Sequence, residues 1–350
     1  MPDIHQIQFS LEEYQEAARI YREPLLLLPL FAAQETLKFM TGVPGVRYSV
    51  AVGTAESNAQ FAPYKASRKS AGTTDVIYRD LKTYFGNVSE DFEPNSVIQL
   101  LLGRGAAFLG DGQKTAPSAK LVLSTVMKAL GHNLEQALFT AERDATGDTT
   151  MDLFDGWGTI ADKEIAANNI SVAKGNLMEL TDAITDVNAV DIAKEIVYGL
   201  DSSLRKQNCF LYCSQDFADK YNESYLATHS GIVYNDKFEQ VYVEGSNRKV
   251  TLAPLPCLDG TDKFFVSPKE NMLFGYDNMS DIERIQVDRF QPWILTLSAA
   301  MFFGVQFHSI DKRMLKVIKL AGSSSNEESG SNTPAGGDTP AGGGEGGNGQ

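Results

Sequence analysis

Cysteine is scarce. Cys209, Cys213 and Cys257 are the only three in 350 residues. They have neither the even, dense pattern of a secreted disulfide scaffold nor the spacing of a zinc ribbon. Cys209 and Cys213 lie four apart in Cys-Phe-Leu-Tyr-Cys, so a strand places them on one face, and they read as buried, reduced thiols. Positive charge is also in deficit, with 31 Lys and Arg against 45 Asp and Glu and a net charge of −14. That balance argues against a nucleic-acid grip, which displaces counterions with a basic patch. The four histidines, His5, His132, His229 and His308, are scattered, and none forms a ligand pair at helical spacing. No Gly-X-Ser-X-Gly elbow occurs, and Gly103-Arg104-Gly105 and Gly110-Asp111-Gly112 lack the strand–turn–helix context of a phosphate loop. The sequons at Asn87, Asn169, Asn222 and Asn278 matter only on a secretory route.

Long apolar runs are missing too. Leu25–Ala33 looks like an export core, but Asp3, Glu12, Glu13, Glu16 and Glu23 precede it against Arg19 and Arg22. Export signals carry the opposite charge. The run Trp293–Val305 is too short and too hydroxylated to cross a bilayer. An apolar share of 43% and a charged share of 22% instead describe an ordinary soluble globular chain, neither exported nor membrane-bound.

The most informative stretch is residues 46–86. Val46, Tyr48, Val50 and Val52 alternate with Arg47, Ser49, Ala51 and Gly53, the pattern of a half-buried strand. Asp75–Leu81 is a second strand. The bridge from Thr54 to Thr74 carries only scattered Ala, Phe61 and Tyr64 as apolar residues, so it packs no core of its own. A two-stranded arm alone is only marginally stable in water, and so long a bridge implies a task. The expected cover is another copy of the chain.

Around the hairpin the order is regular. Ser10 caps a helix over Leu11–Tyr21, Pro24 interrupts, a second helix spans about Leu30–Met40, and Thr41-Gly42-Val43-Pro44-Gly45 stops it. Ser118–Arg143 predicts a long helix with Val122, Val126, Leu130, Leu134, Ala137, Leu138 and Ala141 on one stripe and a bend at Gly131. Residues 187–283 read as an α/β unit. Val190, Ala193, Val197, Leu200 and Leu204 form a helix stripe, Cys209–Cys213 a strand, and Ser214 an N-cap with Asp216 in the first turn. Strands follow at Val241–Val243, Val250–Leu255, Lys263–Val266 and Met272–Phe274. Ile285–Phe290 and Ile294–Phe307 close the order, the last apolar on both faces and so expected to be buried in a sheet. Beyond Leu320 a Gly/Ser-rich tail with Glu327, Glu328, Asp338 and Glu345 lacks the apolar side chains that ordering needs.

Two clusters invite a chemical reading. Asp152 and Asp155, beside Trp157, are the carboxylate pair a glycoside hydrolase uses; the plainer reading is a turn with an aromatic plug. Tyr64-Lys65-Ala66-Ser67-Arg68-Lys69 is the one notable basic cluster, at the hairpin tip of an acidic chain. It reads as a solvated tip or, favoured here, as a charged contact to an acidic patch on a neighbouring copy. The candidate inter-subunit residues are Tyr64, Lys65, Arg68 and Lys69.

The whole series resembles the major capsid proteins of tailed bacteriophages, the HK97-type fold, over about residues 10–320. Glu35–Val46 is similar to the junction between arm and hairpin. Phe154-Asp155-Gly156-Trp157 is similar to the segment after the spine helix, and Phe303-Gly304-Val305-Gln306-Phe307 to the final peripheral strand. Val250–Pro256, Phe265–Pro268 and Asn271–Gly275 resemble the axial-domain strands. The resemblance implies an α+β fold with an N-terminal arm (1–45), an extended β-hairpin or E-loop (46–86) and a peripheral domain (87–186 and 284–320) with its spine helix (118–143). An axial domain (187–283) and a disordered tail (321–350) complete it. It further implies a non-enzymatic shell subunit of a phage or prophage head, assembling as hexamers and pentamers around DNA in the host cytoplasm, with scaffolding, portal and decoration proteins as partners. No cofactor, metal or membrane is expected. Some relatives cross-link an E-loop lysine to a neighbour's Asn, a role for which Lys65 and Lys69 are placed. The rivals are an encapsulin-like compartment shell, a hydrolase using Asp152 and Asp155, and a tail-tube or adhesion protein.

Overall fold

A computed structural model describes residues 15, 33–57, 61, 63–66, 74–93, 116–228, 242–277, 285–291 and 294–320. Outside them lie most of the Ser10-capped helix, both glycine-rich triplets, Arg68, Lys69, His5, His229, Asn278 and the tail 321–350. In chain order the strands are β1 (Thr41–Pro44), β2 (Ser49–Ser57), β3 (Thr74–Lys82), β4 (Tyr84–Phe92), β5 (Leu177–Glu179) and β6 (Cys209–Cys213). They continue with β7 (Val250–Pro254), β8 (Lys263–Ser267), β9 (Met272–Tyr276), β10 (Ile285–Gln291), β11 (Ile294–Phe307) and β12 (Lys316–Lys319). One sheet runs β1-β9-β11-β10 with β4 also on β11, a second runs β5-β12-β8-β6-β7, and β2–β3 form the hairpin.

The first sheet is organised by β11. Its first half alternates, with Leu295, Leu297 and Ala299 buried between half-exposed neighbours, while Phe302 to Val305 are buried without a break. Burial on both faces therefore holds only for the second half, where the root of the hairpin covers the other side. The long helix is Ala116–Thr140, close to the expected span. Its buried stripe is Leu123, Met127, Gly131, Leu134 and Leu138, with Val126 and Leu130 on the flank. That is one residue out of phase with the expected stripe at its start, because the sequence supplies apolar residues at adjacent positions on this face.

The helix ends against Trp157–Ala166, and this contact explains Asp155-Gly156-Trp157-Gly158. A Cβ on Gly158 would lie 2.5 Å from the Phe139 carbonyl oxygen, and one on Gly156 2.7 Å from the Phe139 carbonyl carbon. Only glycine lets the two helix ends meet so closely. Trp157 is fully buried, its ring 5.3 Å from Phe139, and its indole donates to the Gln306 carbonyl at 3.3 Å.

The second sheet carries the helices Ala189–Tyr198 and Gln215–Thr228. Val190, Ala193 and Val197 are buried on the first helix, as their spacing predicts, but that helix ends at Tyr198, so Leu200 is buried from the turn after it and Leu204 from a separate 3-10 turn, Leu204–Lys206. Ser214 caps the second helix, its hydroxyl accepting from the Phe217 N–H at 3.2 Å.

Several expectations change. Thr41–Pro44 is not a helix stop but a strand, parallel to β9 in register Thr41↔Leu273. The helix before it is short, Gln34–Leu37. Tyr48 has φ +71, which breaks the alternation expected from Val46 to Val52 and starts the hairpin at Ser49. The strand β4 was not expected. Three strands also cross between sheets. β9, from the 187–283 segment, pairs in the first sheet, whereas β5, from the 87–186 segment, and β12, from the 284–320 segment, pair in the second, β12 lying between β5 and β8. Of Val241–Val243, Tyr242 forms an isolated bridge to Thr251.

Candidate functional site: a hairpin arm and its root

The hairpin pairs from Ser49↔Lys82 out to Ser57↔Thr74, nine residues per strand or about 30 Å of ladder. Among the described residues its root makes the contacts with the body. Leu81, Val46 and Leu273 form a small buried cluster, and Thr83 ties across to Val46 and Tyr48 through its hydroxyl and N–H. The root rests on a glycine step in the first sheet. Gly304 and Gly275 are register partners. A Cβ on Gly304 would lie 2.0 Å from the Lys82 carbonyl oxygen, and one on Gly275 2.9 Å from the Thr83 methyl. Any other residue there lifts the hairpin off the sheet.

Polar contacts fix the direction. Arg79 donates to Glu164 at 2.6 Å and to the Gln306 side chain at 3.2 Å, while Gln306 donates back to the Asp80 carbonyl at 3.1 Å. Arg79 and Glu164 are 13% and 18% exposed, so the pair is largely out of water. Burial opposes ionisation of Glu164. Hydrogen bonds from Asn169 and Arg79 outweigh it and hold the carboxyl below its ordinary value. Arg47 pairs with the buried Asp277 at 2.8 Å.

Beyond the root the hairpin exposes apolar side chains on both faces. Val50 and Ile77 point one way, Val76 and Tyr78 the other, and all four are exposed. The Tyr78 ring lies over Gly53, where a Cβ would come within 2.9 Å of it, so this glycine accommodates a cross-strand aromatic. Phe61 is fully exposed and Tyr64 91% exposed. Burying such side chains contributes roughly 1.5–3 kcal/mol each, a gain this subunit does not collect alone. Tyr48, 74% exposed, adds a ring 5.3 Å from Phe302, which also meets the exposed Phe85 at 5.0 Å.

Of the predicted site residues, Tyr64 and Lys65 sit exposed at the tip, and Arg68 and Lys69 lie outside the described residues. Asp152 and Asp155 have structural partners. Asp152 accepts from the Thr149 N–H at 3.0 Å and its hydroxyl at 2.5 Å; Asp155 accepts from the Arg143 N–H at 3.0 Å and Lys163 at 2.7 Å. The cysteines are free and buried. Burial pushes the Cys209 and Cys257 thiols up to about 12, and Cys213 upward as well. Among the described residues no cluster of His, Cys, Asp and Glu is arranged to hold a metal, and no helix is long and apolar enough to cross a membrane. The glycine step and the Arg79–Glu164 pair escaped the sequence reading. Their one visible signal was glycine inside otherwise apolar strand runs.

No protein-family model and no curated protein matches the chain. Solved structures do. A chain of the satellite phage P4 procapsid with its size determination protein matches over 84% of this chain and 90% of its own, at 13% identity and a TM-score of 0.53. A chain of the cyanophage A-1(L) capsid matches over 81% and 92%, at 10% identity and 0.51. A chain of the capsid of the native GTA particle matches over 83% and 91%, at 13% identity and 0.50. The fold is thus the mixed α+β fold shared with those capsid chains. More particularly, it is the HK97-type fold.

Proposed function

We propose that this chain is the shell subunit of a phage or prophage head, self-assembling into hexamers and pentamers that enclose DNA. The hairpin carries this reading: about 30 Å of paired strand leaves the body with apolar side chains bare on both faces. A surface of that kind is an interface awaiting a partner, and in a closed shell the partner is the neighbouring subunit. The likeness to chains of procapsid and capsid structures supports the same reading. On it, residues 46–86 serve as the E-loop and Ala116–Thr140 as the spine. Residues 87–186 and 284–320 supply the peripheral domain, apart from β5 and β12, and 187–283 the axial domain, apart from β9, these three strands being exchanged between the sheets, and 1–45 form an arm. From that arm Gln15 reaches the Val287 carbonyl on β10 at 3.0 Å. Tyr64, Lys65, Arg68 and Lys69 contact the neighbour. The protein resides in the virion after assembly in the host cytoplasm. Scaffolding, portal and decoration proteins are its further partners, and it binds DNA without sequence preference. No chemical step is needed, and the partners of Asp152 and Asp155 leave the hydrolase reading without its acid pair.

Deleting residues 58–70 tests this. The expected product is a folded subunit, with unchanged far-UV circular dichroism, that forms no particles in electron micrographs. Normal particles from the deletion variant overturn the assigned role of the hairpin.

A further inference from the structure

Charge is divided unevenly along the second sheet. β5, β12, β6 and β7 all start at one end of it, and β8, antiparallel to β12 and β6, finishes there. The loops at that end, 167–176, 199–208, 244–249, 268–271 and 308–315, hold eight Lys and Arg against four Asp and Glu. At the opposite end, loops 180–188 and 255–262 hold four Asp and no Lys or Arg. In a chain of net charge −14, the first end is a local surplus of positive charge.

Hydrogen bonds hold the cationic loops against one another. The Asn176 amide donates to the Ile310 carbonyl at 2.9 Å, the Gln207 amide to the Arg313 carbonyl at 3.4 Å, and the Lys249 ammonium to the Asn208 side chain at 3.2 Å. Lys316, buried at the start of β12, donates to the Gly175 carbonyl at 2.9 Å. Five strands side by side make this end roughly 20 Å wide. Three of its four acids are already occupied. Asp201 meets Lys312 at 4.0 Å, Asp311 meets Arg313 at 2.8 Å, and Glu244 meets Lys194, from outside these loops, at 3.3 Å. Lys206, Arg248 and Lys269 are exposed and form no ion pair among the described residues.

The chain carries its own anion. Residues 321–350 contain Glu327, Glu328, Asp338 and Glu345 and no Lys or Arg. They leave from the acidic end of the sheet, where the Leu320 N–H donates to the Asp262 carbonyl at 2.8 Å. Glu327 comes seven residues after Leu320, a reach of up to about 24 Å. The strand to be passed, β12, has four residues and is about 13 Å long. A Gly/Ser-rich segment of the tail's length spans about 30 Å on average. Its exit repels it, and the far end of the sheet attracts it.

We infer that the acidic tail turns back past the β5 edge and lies on this cationic end of its own chain. Glu327 and Glu328 meet Lys174 and Lys312, which adjoin because the Lys312 side chain lies against the Gly175 turn. Charge alone holds the contact, as suits a segment without apolar side chains. The tether supplies the carboxylates at a local concentration of about millimolar order. So placed, the tail competes with other polyanions for the one strongly cationic end of this sheet. The contact is independent of the shell reading.

Two measurements on the full chain test it. First, a water-soluble carbodiimide joins carboxylates to lysines in contact, and peptide mass spectrometry reads the links. At about 0.05 M salt, where charges act beyond 10 Å, the expected links run from Glu327 or Glu328 to Lys174 or Lys312. In a mixture of heavy-isotope-labelled and unlabelled protein they stay within one chain, and they fade about fivefold near 0.5 M salt. Links spread to lysines elsewhere, such as Lys220, or joining differently labelled chains, overturn the inference. Second, the variant Glu327→Gln, Glu328→Gln, Asp338→Asn, Glu345→Gln binds a random-sequence DNA duplex about tenfold tighter than the wild type at the lower salt. Adding Lys206→Glu and Arg248→Glu abolishes that gain. Neutralising Asp182, Asp186, Asp219 and Glu223 on the body instead changes binding less than about twofold. No gain from the tail variant marks an open nucleic-acid surface and overturns the inference, as does an equal gain from the body variant.

Discussion

Glu164→Gln asks whether the hairpin holds its direction through its root. The Arg79–Glu164 contact is 2.6 Å long and its side chains are 13% and 18% exposed. A hydrogen bond between charged groups so placed contributes about 1.5–3 kcal/mol. Glutamine keeps a neutral oxygen in place, so the loss falls near the lower figure, about 1.5 kcal/mol. The remaining Arg79 charge then faces neutral oxygens, those of the substituted amide and of Gln306, with its Nε already buried and unpartnered. At 1.4 kcal/mol per decade, opening of the hairpin root rises about tenfold. Hydrogen exchange read by mass spectrometry on peptides spanning 76–82 shows this as about tenfold faster exchange, while peptides from Ala189–Tyr198 stay unchanged. The same pair has a signed pH dependence. The Glu164 carboxyl sits below its ordinary value when folded. Its stabilisation is therefore complete above the unfolded-state value of about 4.3 and lost as pH falls through the folded value. After correction for intrinsic rates, exchange at 76–82 rises below about pH 4 in the wild type, and Glu164→Gln flattens that rise. Unchanged exchange in the variant at neutral pH refutes the reasoning: the hairpin is then held by the glycine step and the Leu81 cluster alone.

Gly304→Ala forces a Cβ to 2.0 Å from the Lys82 carbonyl oxygen; the expected cost is about 1–3 kcal/mol in urea unfolding, with faster exchange at the hairpin root. Tyr78→Ala removes a side chain 70% exposed in the isolated subunit. Unfolding stability stays within about 0.5 kcal/mol, yet the concentration required for particle formation, read by light scattering, rises about tenfold. The thiols of Cys209, Cys213 and Cys257, buried and raised in pKa, stay unreactive toward a disulfide reagent at pH 8 until denaturant is added. Fast labelling of any of them in the folded chain contradicts their burial.

Local pattern made much of the fold legible. The strand Ile294–Phe307, the strands around Cys209–Cys213 and Lys263–Val266, and the Ser214 cap follow from alternation, apolar runs and capping chemistry, all of which act within a few residues. What stayed hidden depends on partners distant in sequence. Thr41–Pro44 looks like a helix stop because Gly and Pro are local signals, yet β9 makes it a strand from 232 residues away. Tyr84–Phe92 carries Asn87, Ser89, Glu90 and Asp91, whose polarity hides a strand that β11 pairs along its whole length. The helix stripe shifts by one residue because Val126 and Leu130 border Met127 and the sheet selects among them. The root of the hairpin is least legible of all. Gly275 and Gly304 matter because Lys82 and Thr83 lie across them, a crossing that no periodicity encodes. The exposed tip, by contrast, was readable from composition alone: Phe61, Tyr64 and Lys65 sit in a stretch with nothing to pack on.

The most direct test is the size distribution of the purified full-length chain, by electron microscopy and mass photometry over a range of concentration and salt. The account predicts rings of five and six subunits and closed shells, with Val76, Ile77 and Tyr78, exposed in the single subunit, protected from exchange in the assembled species. A chain that stays monomeric under every condition, with Val76, Ile77 and Tyr78 protected within the single subunit, contradicts it.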